Sequence, residues 1–117
     1  MFRDLFASLE SSIPGFRFIC VVARDGIEVG SHQSGDFPHE VMSAELNGVL
    51  RNLERMGEEY DLDGIDQVLI RTGNQSIFVQ NLSSELFVLV GMDPNAPTGK
   101  TRYEILRNAH RFLEMLG

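Results

Sequence analysis

Tryptophan is absent from this 117-residue sequence, and cysteine occurs once, as Cys20. A single cysteine cannot form a disulfide within its chain, and no group of cysteines and histidines shows the spacing of zinc ligands. We therefore expect neither a disulfide-stabilised secreted domain nor a zinc domain, and we expect no metal ion and no cofactor. A cysteine-poor composition of this kind is typical of the cytoplasm, where we expect the protein to act.

Basic residues are also scarce, with 10 lysines and arginines against 17 acidic residues, for a net charge of -7. Binding to a nucleic-acid backbone requires a basic surface, so we expect no nucleic-acid partner. The longest apolar runs, residues 18–23 and 86–92, are far shorter than the roughly 20 residues that cross a bilayer. We therefore expect no membrane insertion. The acidic Asp4 interrupts the region where a signal peptide would be basic and then apolar, so secretion is not expected.

The length predicts one domain over residues 1–117, because domains commonly contain roughly 100 to 200 residues. Helical spacing of apolar residues and β-prone runs between turn residues predict the order α-β-β-α-β-β-β-α. The predicted elements are a helix over 2–13, strands over 16–23 and 27–29, a helix N-capped by Asp36 and ending near Tyr60, strands over 65–72, 75–82 and 86–92, and a closing helix to Leu116.

Two of the predicted strands, 16–23 and 86–92, are apolar on both faces. Strands with this pattern lie in the middle of a sheet that is covered on both sides. We therefore predict an α+β fold with a five-stranded antiparallel sheet in the order 2-1-5-4-3 and helices on both faces.

The predicted helices are too few to cover this sheet. Five strands at about 4.8 Å spacing span roughly 24 Å, whereas a helix with its side chains is about 10–12 Å wide. Two helices are needed on each face, but the sequence predicts three in all. One face should retain exposed apolar surface, which a stable monomer seldom leaves open, so we expect a second copy to cover it.

The second helix is the one expected to cover its face alone. Beside its sheet-facing stripe lies a further row of residues: Val41, Ala44, Glu45, Gly48 and Asn52. A glycine inside a helix costs about 1 kcal/mol relative to alanine. Gly48 therefore indicates either the close approach of another helix across a two-fold axis or a bulky neighbour within the same chain.

Charged residues dominate another part of the second helix. Arg51, Arg55 and Glu59, together with Glu54 and Glu58, have the spacing of i,i+3 and i,i+4 ion pairs. They are either an ordinary solvated face or a recognition surface for a partner protein, for which Arg51, Arg55 and Glu59 are the candidate residues.

Two sequence patterns resemble ligand sites but are incomplete. Gly99-Lys100-Thr101 opens a helix after an apolar strand, as in a phosphate-binding loop, yet Pro94 occupies the place of the required first glycine. A helix start capped by Thr98 or Thr101 is the simpler interpretation. The acidic residues of 61–66 resemble half a calcium loop but lack its glycine and glutamate positions. No catalytic group is expected.

Two stretches carry a resemblance to a known family. One is Gly15 followed by an apolar strand and Arg24-Asp25-Gly26-Ile27-Glu28-Val29, and the other is the segment 93–104, in which Asp93, Asn95, Gly99 and Arg102 match the family loop. The chain resembles the roadblock/dynein light chain domain family, which includes the bacterial gliding-motility GTPase-activating proteins.

This resemblance implies a roadblock/profilin-like fold and a dimer with itself or a paralogue through the second helix and third strand. It also implies a non-enzymatic regulator or scaffold that binds a small Ras-like GTPase or, alternatively, a light-chain-like adaptor without a GTPase partner. The residues expected at the dimer interface are Val41, Ala44, Glu45, Gly48, Val49, Asn52, Met56, Val68 and Ile70.

Overall fold

The structure, a computed structural model, describes residues 2–115. Its elements are α1 (Arg3–Ser12), β1 (Phe16–Ala23), β2 (Glu28–Gln33), α2 (His39–Glu59), β3 (Gln67–Arg71), β4 (Ser76–Asn81), β5 (Leu86–Met92), α3 (Thr98–Arg107) and α4 (Ala109–Glu114). The predicted end of the closing helix, Leu116, lies outside the described residues.

The five strands form one antiparallel sheet in the order β2-β1-β5-β4-β3, which confirms the predicted topology. The first hairpin turns at Asp25 and Gly26. The Ile27 backbone N–H donates to Asp25 Oδ1 at 2.9 Å, and Gly26 has a φ of 88°, which favours glycine. The central strands are β1 and β5, as their continuous apolar sequences predict.

A register shift in β1 lies between Phe16 and Phe18, opposite Met92 and Gly91 of β5. The Phe18 ring occupies the space where a side chain at Gly91 would begin. Glycine is therefore required at this position so that the aromatic ring can lie over the neighbouring strand.

The sheet separates two apolar cores. The core beneath α1, α3 and α4, which we call the closed face, includes the fully buried Leu5, Leu9, Val88, Ile105 and Phe112. The core beneath α2, which we call the open face, includes Phe18, Cys20, Leu50, Val79 and Leu89. The prediction that α2 covers one face alone is confirmed for the described residues.

Three local details differ from the sequence prediction. The closing helix is divided at Asn108, whose Nδ2 donates to the Glu104 carbonyl oxygen at 2.7 Å. Strand β2 extends to Gln33 instead of ending at Val29. Helix α2 begins at His39, and its N-cap position is held by Pro38 without a side-chain hydrogen bond, so the prediction of an Asp36 cap is wrong.

No helix within residues 2–115 combines the length and the apolar composition needed to cross a bilayer.

Candidate functional site on the open face

Helix α2 has apolar side chains on two sides. Leu46 and Leu50 are buried against the sheet, as a single amphipathic stripe predicts. Further round the helix, Val41, Val49 and Met56 expose 63%, 45% and 38% of their surface. An exposed apolar row of this kind beside a partly covered sheet is typical of a protein interaction surface.

The space beside Gly48 is open. A Cβ atom built on Gly48 would meet no atom of the described residues within 4 Å, apart from the helix's own backbone. The interpretation that this glycine accommodates a bulky neighbour within its own chain is therefore wrong. Close approach of a second helix stays a prediction.

Strand β3 forms one edge of the sheet and, within the described part of the chain, pairs only with β4. Val68 and Ile70 are half-buried and pack against the open-face core with Leu53 of α2. The backbone groups on the outer side of β3 point away from the sheet, as at any edge strand, and such groups can pair with another strand.

Most residues predicted at the dimer interface lie together on α2. Glu45, Gly48 and Asn52 are exposed like their apolar neighbours and fall within one arc of the helix at 100° per residue. Ala44 is also exposed, but it lies on the other flank, where its Cα would be 3.3 Å from a Cβ built on Gly26 of the first hairpin. We call the exposed row Val41, Glu45, Gly48, Val49, Asn52 and Met56 the α2 stripe.

The charged candidates occupy the same helix, but one of them is engaged within the chain. Arg51 Nη2 donates to the Arg24 carbonyl oxygen at 2.8 Å and so holds the first hairpin against α2. Arg55 and Glu59 are exposed near the C-terminal end of α2. Of the three predicted partner-binding residues, Arg55 and Glu59 are the more accessible.

The segment matching the family loop is anchored at its first residue. Asp93 Oδ1 accepts a hydrogen bond from Arg17 Nε at 2.9 Å, and Arg17 Nη1 also donates to the Asn74 carbonyl oxygen at 2.6 Å. The other matching residues, Asn95, Gly99 and Arg102, are exposed. Asp93 is therefore held by Arg17 of β1, whereas the matching residues in the following loop and in α3 are accessible.

The start of α3 is poorly suited to phosphate. Thr101 is buried, and its hydroxyl donates to Met92 Sδ at 2.9 Å, while Lys100 Nζ donates to Glu104 Oε1 at 3.1 Å. Both side chains that a phosphate-binding loop would use are engaged elsewhere. The expected threonine cap is also wrong, because Pro97 precedes the helix and no side chain caps it.

Solved structures similar to this chain cover nearly its whole length. A Roadblock/LC7 domain from Streptomyces avermitilis matches with a TM-score of 0.86 at 18% identity, covering 96% of this chain and 94% of that one. The chain has the roadblock/LC7 fold. A structure described as MglB with tetrameric arrangement also matches this roadblock fold, with a TM-score of 0.82 at 12% identity, covering 92% and 81% of the two chains.

The gliding protein MglB of Thermus thermophilus gives a TM-score of 0.81 at 12% identity, covering 92% of this chain and 82% of that protein. No protein-family model matches the sequence. No curated protein matches it either.

A polar cluster beneath the start of α2 was not predicted. Glu28, the first residue of β2 in this roadblock fold, accepts hydrogen bonds from Ser43 Oγ at 2.7 Å and His39 Nδ1 at 2.9 Å, and the thiol of Cys20 lies beside them. Burial alone would raise the pKa of Glu28, but the bonds from His39, Ser43 and Cys20 outweigh it and lower the pKa.

The cluster was not predicted because Cys20 lies among the apolar residues of β1, where a free cysteine commonly packs as a small apolar side chain. The register of the first hairpin is the feature from which the cluster could have been predicted. Glu28 pairs with Val22, which lies on the same face of β1 as Cys20, so the Asp-Gly turn brings the carboxylate toward the thiol.

Proposed function

We propose that this chain is a non-enzymatic binding protein that dimerises through α2 and β3, and that the dimer binds a small Ras-like GTPase. The observation that carries the proposal is the exposed apolar α2 stripe beside a sheet face that one helix covers. The proposed activity is binding, and we assign no catalytic residue.

The width of the sheet supports the dimer. Five strands span roughly 24 Å, and α2 covers about half of that width. A second α2, running antiparallel across a two-fold axis, would occupy the remaining width and bury Val49 and Met56 of both copies. The open space at Gly48 would let the two backbones approach closely.

Strand β3 supports the same arrangement. Two β3 edges related by a two-fold axis would pair antiparallel and join two five-stranded sheets into one of ten strands. This pairing would satisfy the outer backbone groups of residues 67–71 and continue the apolar surface formed by Val68 and Ile70.

The GTPase partner rests on the family resemblance and on the structural likeness to MglB gliding proteins. Exposed charges at the C-terminal end of α2, including Arg55 and Glu59, supply a surface for recognition beside the proposed dimer axis.

Sedimentation equilibrium of the wild type, Gly48→Leu and Gly99→Leu tests the dimer. Gly99 is a matched control because it is also helical and exposed, with no atom within 4 Å of a built Cβ. The change at Gly48 should not disfavour its helix, since glycine in a helix interior is about 1 kcal/mol worse than alanine and leucine is a good helix former. We expect Gly48→Leu alone to weaken self-association, by at least tenfold. A wild-type chain that stays monomeric at high concentration would refute the dimer.

Binding to GTPases from the same genome, each loaded with GDP or a GTP analogue, tests the partner. We expect nucleotide-dependent binding that Arg55→Glu weakens and Arg3→Glu does not, because Arg3 is exposed on α1 at the closed face. A dimer that binds none of these GTPases in either state would instead support the light-chain-like adaptor.

A further inference from the structure

The polar cluster beneath α2 joins three separate elements inside the open-face core. Cys20 is fully buried in the middle of β1, Glu28 begins β2, and His39 begins α2 with 8% of its surface exposed. The ring of Phe18 stacks near the His39 imidazole, with 6.2 Å between the ring centroids. Polar groups are expensive in such surroundings unless each finds a partner.

The three side chains offer donor atoms to one point. Cys20 Sγ, a Glu28 carboxylate oxygen and a His39 ring nitrogen all lie within 4.8 Å of one another. Ligands around a four-coordinate zinc ion stand about 3.3–3.8 Å apart, given metal–ligand bonds of about 2.0–2.3 Å. The separations between these atoms therefore have to change by at most about 1.5 Å for all three to bind one ion.

We propose that Cys20, Glu28 and His39 form a binding site for a divalent cation of the zinc class. Thiolate, imidazole and carboxylate together are a donor set typical of zinc, whereas magnesium and calcium prefer oxygen alone. The fourth position is open to water, as in zinc sites that have three protein ligands.

Neighbouring groups suit this role. Ser43 Oγ donates to Glu28 Oε2 at 2.7 Å and so orients the carboxylate, which is the usual part of a residue behind a metal ligand. Glu28 also lines a surface groove with residues of the first hairpin and with Glu40 and Ala44 of α2. The groove supplies a path for the ion and for water.

Proton balance is simple. Burial, and next the hydrogen bond and charge of Glu28, raise the pKa of the Cys20 thiol, so without a cation the thiol is neutral. A coordinated cation deprotonates the thiol, and the released proton passes to solvent. The cation also takes the place of the hydrogen between His39 Nδ1 and the Glu28 carboxylate, and the metal-bound imidazole carries its hydrogen on Nε2 instead. Bound metal would then tie β1, β2 and the start of α2 together.

Cobalt titration of the purified full-length chain tests the site, because cobalt replaces zinc and reports a sulfur ligand by its charge-transfer absorption. We expect one cobalt per chain, loss of the charge-transfer band in Cys20→Ala, and at least tenfold weaker binding in His39→Gln. His32→Gln is the matched control, since His32 Nε2 also lies beside a carboxylate, Glu10 Oε1 at 2.6 Å, and we expect it to bind cobalt like the wild type.

Alkylation of Cys20 in the wild type gives a second readout that needs no variant. The buried thiol reacts only when the structure opens, so zinc at 100 times its Kd should slow the reaction about 100-fold. An unchanged alkylation rate, or a wild-type cobalt complex without a sulfur band, would overturn the proposal and leave a hydrogen-bonded cluster. Neither result bears on the dimer, which sedimentation measures separately.

Discussion

Helices cover the two faces of the sheet to different extents. On the closed face, α1, α3 and α4 bury Leu5, Leu9, Ile105 and Phe112 completely. On the open face, one helix covers the centre, Val68 and Ile70 remain half-buried, and the α2 stripe is exposed. The closed face buries its central apolar residues within one chain, whereas the single helix of the open face leaves apolar residues beside it exposed or half-buried.

One exposed aromatic residue on the closed side has a different setting. Tyr103 on α3 is 57% exposed, but Lys100 Nζ and the Arg107 guanidinium lie 5.5 Å and 5.8 Å from its ring centroid. These cations interact with the ring and keep its surroundings polar. An exposed apolar side chain therefore indicates an interaction surface only when its neighbours are apolar as well.

The largest effect is expected from Phe112→Ala on the closed face. This ring is fully buried, and its removal should lower the free energy of unfolding by about 3–5 kcal/mol at any protein concentration. The corresponding change on the open face is Ile70→Ala. It should lower the free energy of unfolding by less than Phe112→Ala in dilute solution, and by more as the protein concentration rises and the proposed dimer forms. Urea denaturation at several concentrations measures both, and equal, concentration-independent losses would remove the difference between the faces.

Gly91→Ala should have the next largest effect on stability, because the added Cβ would enter the space of the Phe18 ring. Overpacking of this kind costs about 1–3 kcal/mol in thermal or urea unfolding. Gly73→Ala is the control, since a Cβ there meets no atom within 4 Å. Adding Phe18→Leu to Gly91→Ala should restore part of the lost stability. If it restores none, the clash with the Phe18 ring is not the cause of the loss.

Glu104, on the closed face, should make stability depend on pH. Burial alone would raise the pKa of this carboxyl, but the Lys100 hydrogen bond and the Arg107 charge outweigh it and lower the pKa below its ordinary 4.5. Its contribution is therefore present above that value and is lost as the pH falls through the folded-state pKa.

Glu104→Gln should cost about 1 kcal/mol at neutral pH, because half-exposed partners limit the gain from the ion pairs. The difference from wild type should shrink as the pH falls below 4.5. A difference that stays constant down to pH values where both proteins unfold would assign the loss to packing instead of charge.

The smallest effect, of opposite sign, is expected at the α2 stripe. Gly48→Ala should stabilise the dilute monomer by about 0.5–1 kcal/mol, because alanine favours the helix and its methyl meets open space. Chemical denaturation at the lowest workable concentration measures this gain. A loss of stability there would mean that the monomer already fills the space beside Gly48.

The sheet was predictable because its central strands have an unambiguous pattern. Nearly continuous apolar residues predict β1 at Phe16–Ala23 and β5 at Leu86–Met92, and the structure has the same bounds. With these two strands in the middle and hairpins between sequence neighbours, the strand order followed. The number of predicted helices, compared with the width of the sheet, also predicts that one face is only partly covered.

Polar side chains account for what the sequence did not reveal. The extension of β2 to Gln33 relies on pairing with β1, since its last residues, Ser31 to Gln33, carry no apolar alternation. The division at Asn108 depends on one side-chain bond to the Glu104 carbonyl within an otherwise continuous helical pattern. Cys20, Glu28 and His39 lie on three different elements and are brought together by the tertiary fold.

Arg17 links two segments that are distant in the sequence to one end of β1. Its guanidinium bonds to Asp93, 76 residues away, and to the Asn74 carbonyl, 57 residues away, and so fastens the exposed loop and the β3–β4 turn to one strand. Loss of the Arg17 guanidinium would remove both bonds at once. The loop and the β3–β4 turn are therefore anchored to β1 by the same side chain.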